Sequence, residues 1–277
     1  MIAKLQYQLK SQKVIVISSF ILFGLFMITL LAPWLAPNDP IAVNLAHKLQ
    51  QPSWDYPLGT DHLGRCTFSR ILYGARISLG FAMLIFISAL SIGLIIGIIA
   101  GYKGGWVDQL LMRFGDGLMA IPSLLLVIGF VGIWGAGLKQ VILGLIFVQW
   151  VYYARVIRGM VLSLKEQNYI TAAKISGSST WTIMKKHIIP NVIPSLAVMG
   201  TLEMGWAIMN LSSMSFLGLG VQPPTPEWGA MILEGKSYIR TNPALMLYPG
   251  LMIMIVVVTF NLLGEALSER YGVKRRY

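Results

Sequence analysis

The stretch Ser78–Tyr102, SLGFAMLIFISALSIGLIIGIIAGY, runs for 25 residues without a charged side chain. At the helical rise of 1.5 Å per residue, about 20 apolar residues cross the roughly 30 Å hydrocarbon core of a bilayer. The apolar run is continuous, whereas the strands of a membrane barrel alternate apolar and polar residues over about ten positions. This stretch therefore predicts a transmembrane helix and an all-α membrane protein.

Five further apolar stretches extend the pattern along the chain of 277 residues. The composition is 56% hydrophobic and only 12% charged, whereas soluble domains are about 25% charged. These values exclude a disordered chain, a fibre and a cytosolic enzyme. We expect one transmembrane domain over residues 1–277 with six helices. The predicted spans are approximately residues 14–35, 78–102, 108–134, 138–157, 192–217 and 244–264.

The distribution of positive charge predicts the orientation of the spans. With six spans both termini face one side, and 15 of the 22 Lys and Arg residues fall on that side. Cytoplasmic loops carry the excess of Lys and Arg, so both termini are expected in the cytoplasm. The net charge of +11 is then a topology signal, and no nucleic-acid partner is expected. Val14–Leu35 is longer than the apolar core of a signal peptide and is expected to remain as the first span.

The segment of residues 158–191, on the predicted cytoplasmic side, is the most informative loop. A short helix with one apolar face is predicted before Gly177, which breaks it. Ser178, Ser179 and Thr180 can cap a second short helix, which Pro190 is expected to end. These residues leave two interpretations open: a surface that docks into a groove of a partner, or a helix that lies on the bilayer. The apolar residues of the first helix are Ile170, Ala173 and Ile175.

This segment resembles the EAA loop of permeases from binding-protein-dependent ABC importers. That loop has Glu-Ala-Ala, three residues, a Gly, and a later apolar group that ends in Pro. Here Ala172, Ala173, Gly177 and Pro190 stand at the matching positions, and Thr171 replaces the Glu. In the family the loop docks into the ATPase subunit. The resemblance therefore implies that these five residues couple the chain to a partner that binds ATP and Mg, with no cofactor on this chain.

Four further motifs stand along the chain: NDP at residues 38–40, LGTDHLGR at 58–65, SFLGLGV at 215–221 and PPTPEWG at 223–229. In this order they resemble the C-type permease of the dipeptide, oligopeptide and nickel importer family. Cys66, the single cysteine, stands where that family usually has Asp, and one cysteine excludes an intrachain disulfide. The resemblance implies a permease of the prokaryotic inner membrane. Its implied partners are a second homologous permease, two ATP-binding subunits and an extracytoplasmic solute-binding protein.

The two longer external loops contain the candidate residues Asp61, Gly64, Arg65 and Trp228. Gly and Asp at this spacing predict tight turns. The turns serve either as a structural cap or in contact with cargo, and the loop around Trp228 serves packing, a lid or contact with a binding protein. Two of the three histidines fall in the first external loop and one in the internal loop, so they do not cluster and predict no metal site.

Glu203 is the one acid within the predicted fifth span. A carboxylate at mid-membrane costs roughly 2.5 kcal/mol or more to insert, so it should face a cavity or a partner. It is a candidate for the wall of a translocation path that favours cationic cargo, and a hydrogen bond to a neighbouring helix or a second permease is the alternative. Asn210 is the second candidate for the path, although such amides more often join helices.

Two spacings predict contacts between helices. Glycines at four-residue intervals within the stretch quoted above predict close helix packing. Arg113 and Asp116 predict an ion pair within one helix. The glycines are Gly93, Gly97 and Gly101.

Together with these features, the resemblance implies a non-enzymatic, pore-forming permease of an ATP-driven importer that works by alternating access. Small peptides are the cargo that the resemblance implies first, and nickel or a metal chelate is the alternative. The alternative function is a stand-alone channel or a proton-coupled carrier that uses Glu203. A single acid at mid-membrane depth and a docking loop without a role in such a carrier count against it.

Overall fold

The computed structural model describes residues 2–270, and the side chains of residues 11–270. This part of the chain is almost entirely helical, and its β-structure is confined to an isolated bridge between Thr60 and Cys66. A π-helical turn at Met184–Ile188 joins α7 to α8. The helices are α1 Ile2–Leu35, α2 Thr67–Lys103, α3 Gly105–Met119, α4 Ser123–Trp134, α5 Leu138–Lys165, α6 Asn168–Ile175, α7 Thr180–Ile183, α8 Ile189–Phe216, α9 Trp228–Gly235 and α10 Ala244–Arg270.

Five helices in the described residues are long and apolar enough to cross a membrane: α1, α2, α5, α8 with the turns before it, and α10. The stretch predicted as a single span over residues 108–134 is instead a bent pair. α3 and α4 meet at an angle of 88°. Pro122 accounts for the break, because it lacks an N–H group and disfavours helical geometry in the residue before it.

Close packing of α2 against α5 is built on glycine, as the spacing predicts. A methyl group on Gly93 would lie 2.5 Å from the Cβ atom of Tyr153, and one on Gly97 would lie 2.6 Å from the carbonyl oxygen of Ala154. Gly101 has the same relation to the next turn of α5. The two helices run in the same direction, and at these glycines their backbones are in direct van der Waals contact. The predicted packing role of these glycines is confirmed.

The two ends of the bundle differ. Residues 36–66 and 217–243, here called the cap, cover the end at which α2 begins and α8 ends. The opposite end carries α6 and α7, which are joined by a turn at Gly177. The cap and the short helices therefore lie at opposite ends of α2 and α5.

The second short helix does not end at Pro190, and that prediction is wrong. α7 continues through the π turn into α8, and Pro190 lies in the first turn of α8. A proline near the start of a helix costs little stability, because the first N–H groups of a helix have no hydrogen-bond partner within it. The side-chain amide of Asn191 donates to the carbonyl oxygen of His187 at 2.6 Å, which satisfies an acceptor in the widened turn.

The glycine contact yields a direct test. We expect Gly97→Ala to destabilise the protein by about 1–3 kcal/mol, the usual cost of forcing an extra carbon into a packed interior. Gly24→Ala in α1 is the control, because a methyl group there has no neighbour within 4 Å. The thermal unfolding midpoint in mild detergent measures the effect. Equal midpoints for the two variants would contradict this role of Gly97, because the extra methyl group would then fit between α2 and α5 without loss of stability.

Candidate functional site

The short-helix end has a buried face and an exposed face. Ile170, Ile183 and Ile188 are almost fully buried and pack in one cluster with side chains of α2 and α5. Ile175 is 82% exposed and Trp181 is 66% exposed. The segment is thus held to the bundle by one apolar face while a second apolar surface remains uncovered.

The residues of the EAA-like pattern lie mostly on the uncovered side. Thr171, Ala172, Gly177 and Pro190 are exposed, and Ala173 is half-buried against the cluster. Backbone hydrogen bonds close the turn that follows α6, with Gly177 in the left-handed region at φ +77°. This arrangement is a common way to end a helix. The structure therefore brings the five residues together at one end of the bundle.

A cavity of about 380 Å³ lies beside the break between α3 and α4. Glu203 is on its wall, and a carboxylate oxygen of Glu203 accepts a hydrogen bond from the side-chain amide of Gln149 at 2.9 Å. The hydroxyl group of Tyr153 lies 3.4 Å from the same oxygen. Tyr152 and Trp206 complete this wall with aromatic surface. The acid thus both bonds to a neighbouring helix and faces an open space.

Two polar residues near this cavity make different contacts. Gln149 joins two helices as the donor to Glu203, and it also lines the cavity. The side-chain amide of Asn210 donates to the carbonyl oxygen of Trp206 at 2.9 Å, within its own helix. Asn210 is not among the residues that line the cavity. The sequence carries no signal for Gln149 as a cavity residue, because that role depends on the broken span opposite it.

Ion pairs fasten α3 to α5 near the short-helix end. Arg158 forms a two-pronged pair with Asp108, with distances of 2.5 and 2.6 Å. Arg155 lies 2.5 Å from Asp116. The predicted pairing of Asp116 with Arg113 within one helix is therefore wrong. α3 packs on α5, so a basic residue of α5 reaches the carboxylate.

A cluster of buried charges organises the cap. Arg65 and Arg70 are each 1% exposed. Arg65 contacts Asp61 at 2.6 Å and Glu234 at 2.6 Å, and Arg70 contacts the same oxygen of Glu234 at 3.0 Å. Gly64, at φ +76°, lies against the backbone carbonyl of Asn44, where a side chain would collide. Asp61, Gly64 and Arg65 thus act together in folding the cap, as the structural interpretation of this motif requires.

The same cluster contains a geometric candidate for a cation. Ligand atoms of Asp61, His62 and Glu234 lie within 4.8 Å of one another. Both carboxylates are already bound by Arg65 and Arg70, whose positive charges oppose a metal ion at that place. The arrangement favours an ion-pair cluster, and the absence of a metal site stays a prediction.

Trp228 is buried where α9 meets α2 and α8. It is fully enclosed, and its indole N–H donates to the carbonyl oxygen of Ile71 at 3.2 Å. The neighbouring Glu227 accepts hydrogen bonds from Ser78 at 2.9 Å and from Ser212 at 3.2 Å. This placement fits the packing interpretation of the loop. Sequence reasoning missed Glu227, because Glu is not among the residues that usually cap the start of a helix.

Two family models match the chain. The binding-protein-dependent transport system inner membrane component matches residues 93–273, and the N-terminal TM domain of oligopeptide transport permease C matches residues 6–52. The chain also resembles a solved structure of the MetNI methionine ABC transporter in an inward-facing conformation. The TM-score is 0.57 at 19% identity, covering 75% of this chain and 98% of that chain. That likeness supports the fold.

Curated relatives match over most of their length. The nickel transport system permease protein NikC of Escherichia coli K12 is 42% identical over 245 residues, 88% of each chain. The dipeptide transport system permease protein DppC of Alkalihalophilus pseudofirmus is 38% identical over 269 residues, 97% of this chain and 88% of the relative. The glutathione transport system permease protein GsiD of Pectobacterium atrosepticum is 39% identical over 257 residues, 91% of this chain and 85% of the relative.

The fold and the site define a multi-pass helical membrane protein with a cavity beside a broken span and a two-helix segment at one end. The chain belongs to the family of binding-protein-dependent transport system inner membrane components. Members of this family are permease subunits of ABC importers in the inner membrane and are not themselves catalytic. Membership implies a complex with other subunits.

The buried charges of the cap yield the second test. Glu234→Gln removes the negative charge that both guanidinium groups contact, and leaves Arg70 without its nearest carboxylate. Breaking a buried pair costs about 3–5 kcal/mol, so we expect a clearly lower unfolding midpoint. Glu166→Gln, at an exposed position at the end of α5, is the matched control. A midpoint equal to that of the control would show that the cluster contributes nothing to the cap.

Proposed function

We propose that this chain is the permease subunit of an ATP-driven importer that moves small peptides, or nickel and metal chelates, inward across the prokaryotic plasma membrane. The names of its nickel and dipeptide relatives support this function. The proposed orientation places both termini and the 158–191 segment in the cytoplasm and the cap outside. The uncovered apolar surface of the 158–191 segment is the observation that carries the proposal.

That surface is the proposed contact with an ATP-binding subunit. Ile175 and Trp181 flank the turn at Gly177, and exposed apolar side chains of this size mark interaction sites. Trp is also enriched among the residues that dominate binding energy. A helix lying on the bilayer would turn its main apolar face to lipid. Here that face, with Ile170 and Ile188 at its centre, is buried in the bundle, which favours docking to a protein.

The proposed assembly contains a second, homologous permease, two ATP-binding subunits and an extracytoplasmic solute-binding protein. ATP and Mg bind to the ATP-binding subunits, and this chain holds no cofactor. Closure of those subunits around ATP displaces the 158–191 segment and switches the path between inward and outward access. Release of cargo follows when hydrolysis allows the subunits to separate.

The cavity beside the broken span is the proposed part of the translocation path on this chain. Its polar wall combines the Glu203 carboxylate with the Gln149 amide and aromatic surface. Nickel ions are cationic, and peptides carry a positive amino terminus, so a single carboxylate suits both classes of cargo. The choice between them rests mainly with the binding protein.

The turn between the short helices gives the third test. We expect Gly177→Asp to leave the protein folded in the membrane but to abolish transport and weaken association with the ATP-binding subunits. Gly177 has a positive φ and no neighbour within 4 Å of an added methyl group, so the substitution alters the docking surface rather than the core. ATP-dependent uptake and co-purification of the ATP-binding subunits measure the effect.

Gly105→Asp is the matched control for this variant. Gly105 also has a positive φ, at +58°, and open space around it, and the proposed orientation places it on the same side of the membrane. Ile175→Glu is a second variant that changes an exposed side chain without changing the backbone. Normal transport in both Gly177→Asp and Ile175→Glu would refute the proposed contact.

A proton-coupled carrier is the second candidate function, because Glu203 faces a cavity at membrane depth. Glu203→Gln separates the two functions and keeps an acceptor for the Gln149 amide. For the proposed importer we expect uptake to remain ATP-dependent and unaffected by a proton gradient, with a reduced preference for cationic over neutral cargo. Gln149→Glu, which adds a carboxylate to the same cavity wall, is the counterpart of Glu203→Gln, which removes one. Loss of all pH-driven uptake together with no response to ATP would favour the carrier.

A further inference from the structure

A second, apolar cavity opens on the side of the bundle between α1 and α2. It measures about 510 Å³. Leu25 and Phe26 of α1 form one wall, and Leu79 and Met83 of α2 form the other. Met204 of α8 lies at its base. This groove is separate from the cavity of Glu203, and its lining is almost wholly apolar.

The groove has a polar end on the side of the cap, where the uncharged run of α2 begins. Arg76 lines it and stands two residues before Ser78, where the uncharged run begins. From Leu22 to Leu30 the α1 wall extends over eight residues, about 12 Å along the helix. This distance is close to the roughly 15 Å thickness of the apolar region of one leaflet. The groove therefore runs along α1 and α2 from the cap side of the bundle, over a length that one leaflet could cover.

The charge at this end is available for a ligand. The guanidinium group of Arg76 is exposed and lies 5.9 Å from the ring centre of Tyr73. Among residues 11–270, none of the ion pairs includes Arg76. A guanidinium group binds phosphate oxygens through paired N–H donors, and it does so strongly next to an apolar surface.

The polar end and the apolar lining distinguish between two possible occupants, a helix of a neighbouring subunit and a lipid. A phospholipid carries both an apolar chain and an anionic phosphate group, which match the lining and the guanidinium group of Arg76. A helix lying in the groove would need an acidic side chain within the membrane to pair with Arg76, which is costly. We propose that this groove binds one acyl chain of a glycerophospholipid whose phosphate group is held by Arg76.

Gly80 makes the proposal testable without disturbing the fold. It lines the groove, and a methyl group added there would have no neighbour within 4 Å. Gly80→Leu therefore fills the groove with a side chain and places a better helix former in α2. Gly129→Leu in α4 is the matched control, because its surroundings are equally open and it lies outside the groove. Arg76→Gln tests the phosphate contact separately.

The experiment uses the full chain, purified and delipidated in mild detergent, with palmitoyl-oleoyl phosphatidylglycerol as the probe. Native mass spectrometry measures the fraction of protein that retains the lipid. We expect Arg76→Gln to weaken retention about tenfold, as for the loss of one charged hydrogen bond. Gly80→Leu should abolish retention, and Gly129→Leu should match the unmodified chain.

Dioleoylglycerol, which lacks a phosphate group, is the second probe and should bind no better to the unmodified chain than to Arg76→Gln. Equal retention of the phospholipid by Gly80→Leu and Gly129→Leu would overturn the proposal. The proposal would also be overturned if Gly80→Leu keeps the lipid but no longer assembles with the membrane subunit that co-purifies with the chain. The groove would then be a contact with that subunit. Unfolding midpoints of all the variants show whether any change reflects loss of the fold.

Discussion

The direct contact of the α2 and α5 backbones is the constraint on which the rest of the structure depends. Between helices in lipid there is no hydrophobic driving force, so association rests on close packing and hydrogen bonds. Gly93, Gly97 and Gly101 remove the side chains that would separate these helices. The resulting pair extends from the cap to the short helices, and both functional ends of the molecule are positioned by it.

The cap depends on the first turns of α2. Arg70 and Ser78 project from this part of the helix, one into the cluster of buried charges and the other to Glu227. α9 approaches so closely that Gly229 lies against the backbone of Ser212 in α8. Charged and hydrogen-bonded groups thus join helices at an end where the chain contains long loops. A buried network of this kind is stable only when its members are all paired.

The sequence predicts what depends on composition and on spacing within one helix. The apolar stretches and the glycine contact are of this kind, since each is a property of a single helix face. The predictions that failed concern residues whose partners or geometry are set by a neighbouring helix or turn. Asp116 pairs with Arg155 because α5 lies beside it, and Pro190 continues a helix because a wider turn comes before it. The role of Gln149 in the cavity has the same origin: it depends on the break at Pro122, on another helix.

The uninterrupted path from α7 into α8 changes how the proposed coupling would act. A helix that ended at Pro190 would have placed a hinge between the docking surface and the membrane. Instead the helical chain runs from Thr180 to Phe216. Trp181 and Glu203 are separated by 22 residues, about 33 Å along the axis. This continuous helical path links the short helices to the cavity wall, and the π turn and Pro194 are the points at which it can bend. The bend between α3 and α4 leaves the opposite wall attached to α5 through Asp108 and Arg158. The Glu203 wall is itself joined to α5 by the hydrogen bond from Gln149, so opening the path on this side requires that this bond breaks while Asp108 and Arg158 stay paired.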